Sequence, residues 1–68
     1  MTIGEAMRAA RNKAGLMIKE LSEISGVSKG LISCYERDLT RPIIDNVEIL
    51  ADALGISIDE YIGHEVRK

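Results

Sequence analysis

Four interruptions partition the chain: Gly15, Gly26, the 38–42 stretch that ends in Pro42, and Gly55. Glycine ends a helix at least cost because it tolerates a left-handed backbone, and proline cannot continue one. The segments between the breaks hold roughly two to three helical turns each, too few for a helix to persist alone in water. Each must therefore be held by packing against the others. Apolar residues recur in every segment at helical spacing, and no stretch alternates as a strand would. The pattern predicts an all-α fold of five short helices around one small core, a single domain over 1–68.

Local signals set the bounds of those helices. Thr2 and Glu5 have the spacing of a capping box, and Ile3, Met7, Ala10 and Ala14 share one face of a first helix that ends by Gly15. Ile18, Leu21 and Ile24 form the apolar set of a second helix over about 18–25, closed by Gly26. Ser28 is a good N-cap for a third, which carries Leu31, Ile32 and Tyr35 to about residue 37. The fourth, over about 44–54, places Val47, Leu50, Ala51 and Leu54 on one side and has a poorly capped start. Ser57 and Glu60 repeat the box spacing and open a short fifth helix with Ile58, Tyr61 and Ile62 as its contacts.

Composition removes most chemistries. A chain of 68 residues buries only about 60% of the surface its unfolded form exposes, so it needs a disulfide, a metal, tight helix packing or a partner subunit. The single cysteine, Cys34, excludes a disulfide within the chain, and one Cys with one His cannot close a zinc site. Packing remains, helped by dimerisation. With two Tyr and no Phe or Trp, the chain offers no aromatic platform for unpaired bases. Apolar runs fall far short of the roughly 20 residues that span a bilayer, and no charged-then-apolar leader opens the chain, so no membrane association and a cytoplasmic location are expected. Asp45, Glu48 and Asp52 lack a His or metal-ligand companion and read as a solvated face, and His64 lies in a polar tail. No catalytic residue, metal or cofactor is expected, and Cys34 lacks the basic surroundings of a redox switch.

The net charge of −2 weighs against a polyanionic partner until its distribution is read. Residues 1–41 carry seven Lys or Arg against five Asp or Glu, whereas 42–68 carry two against six. The weakly basic half contains the informative segment, 18–37: a short helix, a glycine turn and a second short helix opened by a hydroxyl cap, which is a helix-turn-helix arrangement. Leu21, Val27 and Ile32 would be buried between the two helices, leaving the first turns of the later one free to enter a major groove.

At these residues the chain resembles the Cro and lambda-repressor (xenobiotic-response-element) regulators, from about Ile3 to Gly63. The likeness is carried by Gly15-Leu16, Lys19-Glu20-Leu21-Ser22, Gly26-Val27-Ser28, Ile32-Ser33-Cys34-Tyr35-Glu36, Arg41-Pro42 and the run from Leu50 through Asp59. The resemblance implies a compact five-helix lambda-repressor-like fold, no catalysis, and binding of double-stranded DNA as a two-fold homodimer on a palindromic operator. It places Ser28, Lys29, Gly30, Ser33 and Cys34 on the DNA-facing side of the reading helix. Ser28 reads as an N-cap alone or as cap and contact at once. Lys29 reads as a donor to guanine, a phosphate contact or a solvated lysine, and Leu31 as a rim core residue or a contact to a thymine methyl. Arg37, Thr40 and Arg41 after the reading helix, with Lys19 at the start of the second helix, are the expected phosphate contacts, the alternative for Arg41 being a surface charge beside a proline and for Lys19 a solvated lysine. Arg11 and Glu36 correspond to a buried ion pair, the alternative being two unrelated surface charges.

Departures from that pattern bear on affinity. Met17 and Ile18 stand where the family has a hydroxyl cap followed by Gln, and Asp38 stands where glycine is common, which puts a carboxylate near the expected DNA backbone. Met17, Ile18, Ile43 and Ile49 read either as scattered surface residues or as a dimer or partner patch. The expected function is transcriptional regulation, by repression, with the 28–37 helix in the major groove. The alternative is a protein-interaction module or antitoxin on the same fold, with DNA binding weak or secondary.

Overall fold

A computed structural model of the protein describes residues 2–62. Among them are five helices, α1 (Ile3–Lys13), α2 (Ile18–Ser25), α3 (Lys29–Glu36), α4 (Ile44–Leu54) and α5 (Ile58–Ile62), and no strand. None is long and apolar enough to cross a membrane. His64 lies outside the described residues.

The helix starts follow from short-range chemistry. Thr2 Oγ1 accepts from the Glu5 amide at 3.1 Å while Glu5 Oε1 accepts from the Thr2 amide at 2.9 Å, which satisfies two of the donors left free in a first turn. Ser57 and Glu60 make the same exchange at α5, at 3.1 and 3.5 Å. At α2, where Met17 has no capping oxygen, Glu20 Oε1 still accepts from the Met17 amide at 2.8 Å, half of such a box. Ile43 opens α4 with no side-chain cap.

Every helix contributes to one aliphatic core with two tyrosines in it. Met7 from α1, Leu21 from α2, Ile32 and Tyr35 from α3, Val47, Leu50 and Ala51 from α4, and Tyr61 and Ile62 from α5 are buried together, with Val27 from the turn. Removal of these side chains from water is the main stabilising contribution in a chain with no covalent cross-link. α1 packs on α3 and α5, α2 on α3 and α4, and α4 on α5, so α3 is supported from both sides.

Two expectations of burial are corrected. Ile24 is 58% exposed. At about 100° per residue it lies roughly 120° around α2 from Ile18, and the inward arc instead takes Leu21 with the half-buried Ser22 and Ser25, small residues that suit the tight turn into α3. Ala14 is exposed because it caps α1 beyond the packed part of the core, on an open groove shared with Ala10, Leu54 and Ile56.

Candidate nucleic-acid interface

The turn between α2 and α3 is built by three adjacent residues. Gly26 takes φ 82° and its amide donates to Ser22 O at 2.8 Å, ending α2 in the left-handed region that a side chain would strain. Val27 turns into the core, and its amide donates to Ser25 Oγ at 3.1 Å. Ser28 then starts α3, its Oγ accepting from the Leu31 amide at 3.2 Å. The reversal is therefore fixed by one backbone hydrogen bond, two serine hydroxyls that accept from backbone amides, and one buried valine, rather than by loop length.

On α3 the inner side is Ile32, Tyr35 and Glu36, with Leu31 partly buried against the core. Ser28, Lys29 and Gly30 are exposed at the amino end, and Ser33 and Cys34 are half-buried. Lys29, Ser33 and Arg37, four residues apart in turn, line one outer strip of the helix. Lys19 is exposed in the first turn of α2, and Arg37, Thr40 and Arg41 are exposed at and beyond the end of α3. Thr40 and Arg41 share a cleft with Thr2, Ile3, Asp38 and Pro42. No group of metal-ligating side chains exists among the described residues, and Cys34 is a free thiol.

The carboxyl end of α3 is anchored by charge. Glu36, 3% exposed, receives Arg11 Nε at 2.7 Å and Arg11 Nη2 at 2.9 Å, and Arg8 Nε lies 3.6 Å away. A two-point guanidinium contact of this kind fixes orientation as well as distance. Arg11 Nη1 also donates to Leu16 O at 2.8 Å, so one side chain ties α1, α3 and the α1–α2 turn. The hydrogen bonds to Glu36 raise the Arg11 pKa against the opposing effect of burial, and the cation persists at any ordinary pH. Tyr35 Oη accepts from Asn46 Nδ2 at 2.7 Å, adding a link to α4.

Beyond Glu36 the chain turns through Asp38 at φ 59°, with the Asp38 amide on Tyr35 O at 3.1 Å and the Leu39 amide on Cys34 O at 2.9 Å. These are the two closing bonds of a left-handed helix end, with aspartate where glycine is usual. Its carboxylate is not left free as the sequence suggests: Asp38 stays exposed, but both oxygens are engaged with the start of α1. Oδ2 accepts from Thr2 Oγ1 at 2.6 Å and Oδ1 from the Gly4 amide at 3.0 Å, so it caps the first turn of α1. A Cβ at Gly4 would stand 2.5 Å from Tyr35 O and 2.7 Å from both Glu36 O and Asp38 Oδ1, so only glycine permits this approach. Sequence reasoning missed Gly4 and Asn46. The available signal for Gly4 was a glycine inside a first turn, where it costs about 1 kcal/mol relative to alanine without a packing reason.

A profile of the helix-turn-helix family matches residues 7–61. The chain belongs to the Cro and repressor type of helix-turn-helix proteins. Within that helix-turn-helix family it is 32% identical over 65 residues to the immunity repressor protein of Bacillus phage phi105, covering 96% of this chain and 45% of the relative. It is equally similar, 32% over 65 residues, to the transcriptional regulator ImmR of Bacillus subtilis, covering 96% and 51%. The P22 c2 repressor, solved in complex with a synthetic operator, superposes with a TM-score of 0.81 at 35% identity over 93% of this chain and 96% of that one. The helix-turn-helix fold is thus shared with a repressor, and the chain spans about half the length of the sequence relatives. These two relatives are named as a repressor and a transcriptional regulator.

Proposed function

We propose that this chain binds double-stranded DNA sequence-specifically and regulates transcription as a repressor, with the amino-terminal half of α3 in the major groove. The observation that carries the reading is the exposed strip opened by Ser28, Lys29 and Gly30 on a helix whose other sides are held by α1, α2 and the core. A groove-reading helix needs both properties: open side chains at its first turns and a scaffold that fixes its tilt. The likeness to the P22 c2 repressor, solved on its operator, supports the same use here.

In this reading Lys29 donates to guanine O6 and N7, Ser28 and Ser33 serve bases or phosphates, Gly30 permits close approach, and Cys34 borders the contact. Lys19, Arg37, Thr40 and Arg41 hold phosphates and set register. Two copies bind a two-fold operator, the chain acting as one DNA-binding domain over 1–68, in the cytoplasm at the nucleoid. With three cations per subunit on phosphates, the logarithm of the binding constant should fall with the logarithm of salt at a slope of about −5. Arg41→Ala should reduce that slope by about 1 per subunit and weaken all sequences alike. A flat salt response would reject phosphate-led binding.

A second reading has its own observation. Met17, Ile43, Ile44 and Ile49 are 63, 60, 54 and 42% exposed, large aliphatic side chains that a protein partner could cover. A protein-interaction module or antitoxin would use it, and its binding would persist at high salt.

A further inference from the structure

The loop that carries Thr40 and Arg41 begins at a residue fixed from the far end of the sequence. Asp38 holds Thr2 Oγ1 at 2.6 Å and the Gly4 amide at 3.0 Å, while the backbone carbonyls of Tyr35 and Glu36 press on Gly4 so closely that no Cβ fits. Thr2, Asp38, Thr40 and Arg41 wall one cleft. Among the described residues, neither Thr40 nor Arg41 makes a side-chain hydrogen bond, and both are exposed. The backbone bonds of the Asp38 and Leu39 amides close α3, and the Asp38 carboxylate adds the side-chain tie between this loop and α1.

We propose that Asp38 is a positioning residue for DNA binding: its carboxylate latches the first turn of α1 to the loop after the reading helix and so presents Thr40 and Arg41 to the phosphates. This rests on the reading of the chain as a DNA-binding protein. It also reverses the sign expected of an acid in a phosphate-facing loop. As a charge alone, Asp38 repels DNA, and any neutral replacement tightens binding. As a latch, it aids binding despite its charge, because a loop ordered beforehand has less freedom to lose on association.

Two neutral replacements separate these effects. Asp38→Gly takes φ 59° without strain, keeps the helix end and removes the acceptor. Asp38→Asn keeps an oxygen for the Gly4 amide, tolerates the same backbone and removes the charge equally. Affinity for a duplex chosen by the wild-type chain is measured for all three at a temperature where each is fully folded by circular dichroism. Asp38→Gly should bind about tenfold more weakly than Asp38→Asn, the cost of ordering a freed loop, and Asp38→Asn should match or exceed wild type. Thr2→Ala should weaken binding without a change of charge, and should add little to Asp38→Gly in the double variant. Equal affinity of the glycine and asparagine variants overturns the latch while leaving DNA binding in place. A wild-type chain that selects no duplex removes DNA binding and the latch together.

Discussion

Lys29 and Glu36 stand seven residues apart on one helix, two turns and therefore almost the same side, yet Lys29 is open to solvent while Glu36 is 3% exposed. The sequence period of α3 assigns them one environment. What divides them is α1, which crosses the carboxyl end and brings Arg11 to Glu36 at 2.7 Å and Gly4 against the last carbonyls. The amino end has no such cover. Strong, short polar contacts gather where the helix is anchored, and small exposed groups where it is available to a ligand. A helix of eight residues could not keep a fixed tilt from its own hydrogen bonds, so the anchoring end supplies the precision that the open end needs.

The contrast can be broken most forcibly at Glu36. Glu36→Ala leaves the partly buried Arg11 without its counter-charge and should lower stability by up to about 3 kcal/mol, read as a large fall in the thermal midpoint. An unchanged midpoint would mean that the pair does not anchor the helix. Gly4→Ala should cost about 1–3 kcal/mol, because the new methyl meets backbone carbonyls that cannot rotate away. That sign is opposite to the gain alanine gives in an ordinary helix.

Smaller effects sharpen the same division. Tyr61 Oη is buried with no hydrogen-bond partner among the described residues, and burial first, then the Glu36 carboxylate, raise its pKa above the ordinary 10.0. Such a group contributes stability that is present below the unfolded value and lost as pH rises past it, since the unfolded chain then releases the proton first. Because that hydroxyl is buried without a partner, Tyr61→Phe should raise stability by up to about 1 kcal/mol near neutral pH, and because phenylalanine does not titrate it should flatten the decline above about pH 10, both seen in denaturant melts. Lys29→Ala should alter stability by less than about 0.5 kcal/mol.

The helix bounds were legible because they are written in neighbours: Thr2 with Glu5, Ser28 with Leu31, Ser57 with Glu60, and glycine at three helix ends. Burial was less so. Ile24 matches an apolar period but sits outside the arc that α3 and α4 cover, and two serines take its place. Contacts between distant segments were hidden altogether. The direction of the Asp38 carboxylate depends on residues 34 and 36 positions away, and the Asn46 bond to Tyr35 on how α4 lies against α3. For the site, spacing exposes Lys29 and Ser28, while the pairing of Arg11 with Glu36 enters only through family resemblance, since nothing in a 25-residue separation brings two charges together.

Selection of bound sites from a randomised duplex pool tests the central claim most directly, that the open end of α3 reads base edges while the other end holds it in place. The wild-type chain should enrich an inverted repeat with half-site centres about 34 Å apart, and Lys29→Ala should lose preference at one base pair in each half. A pool that emerges unenriched at low salt, or an enriched motif indifferent to Lys29, Ser28 and Ser33 alike, would contradict it.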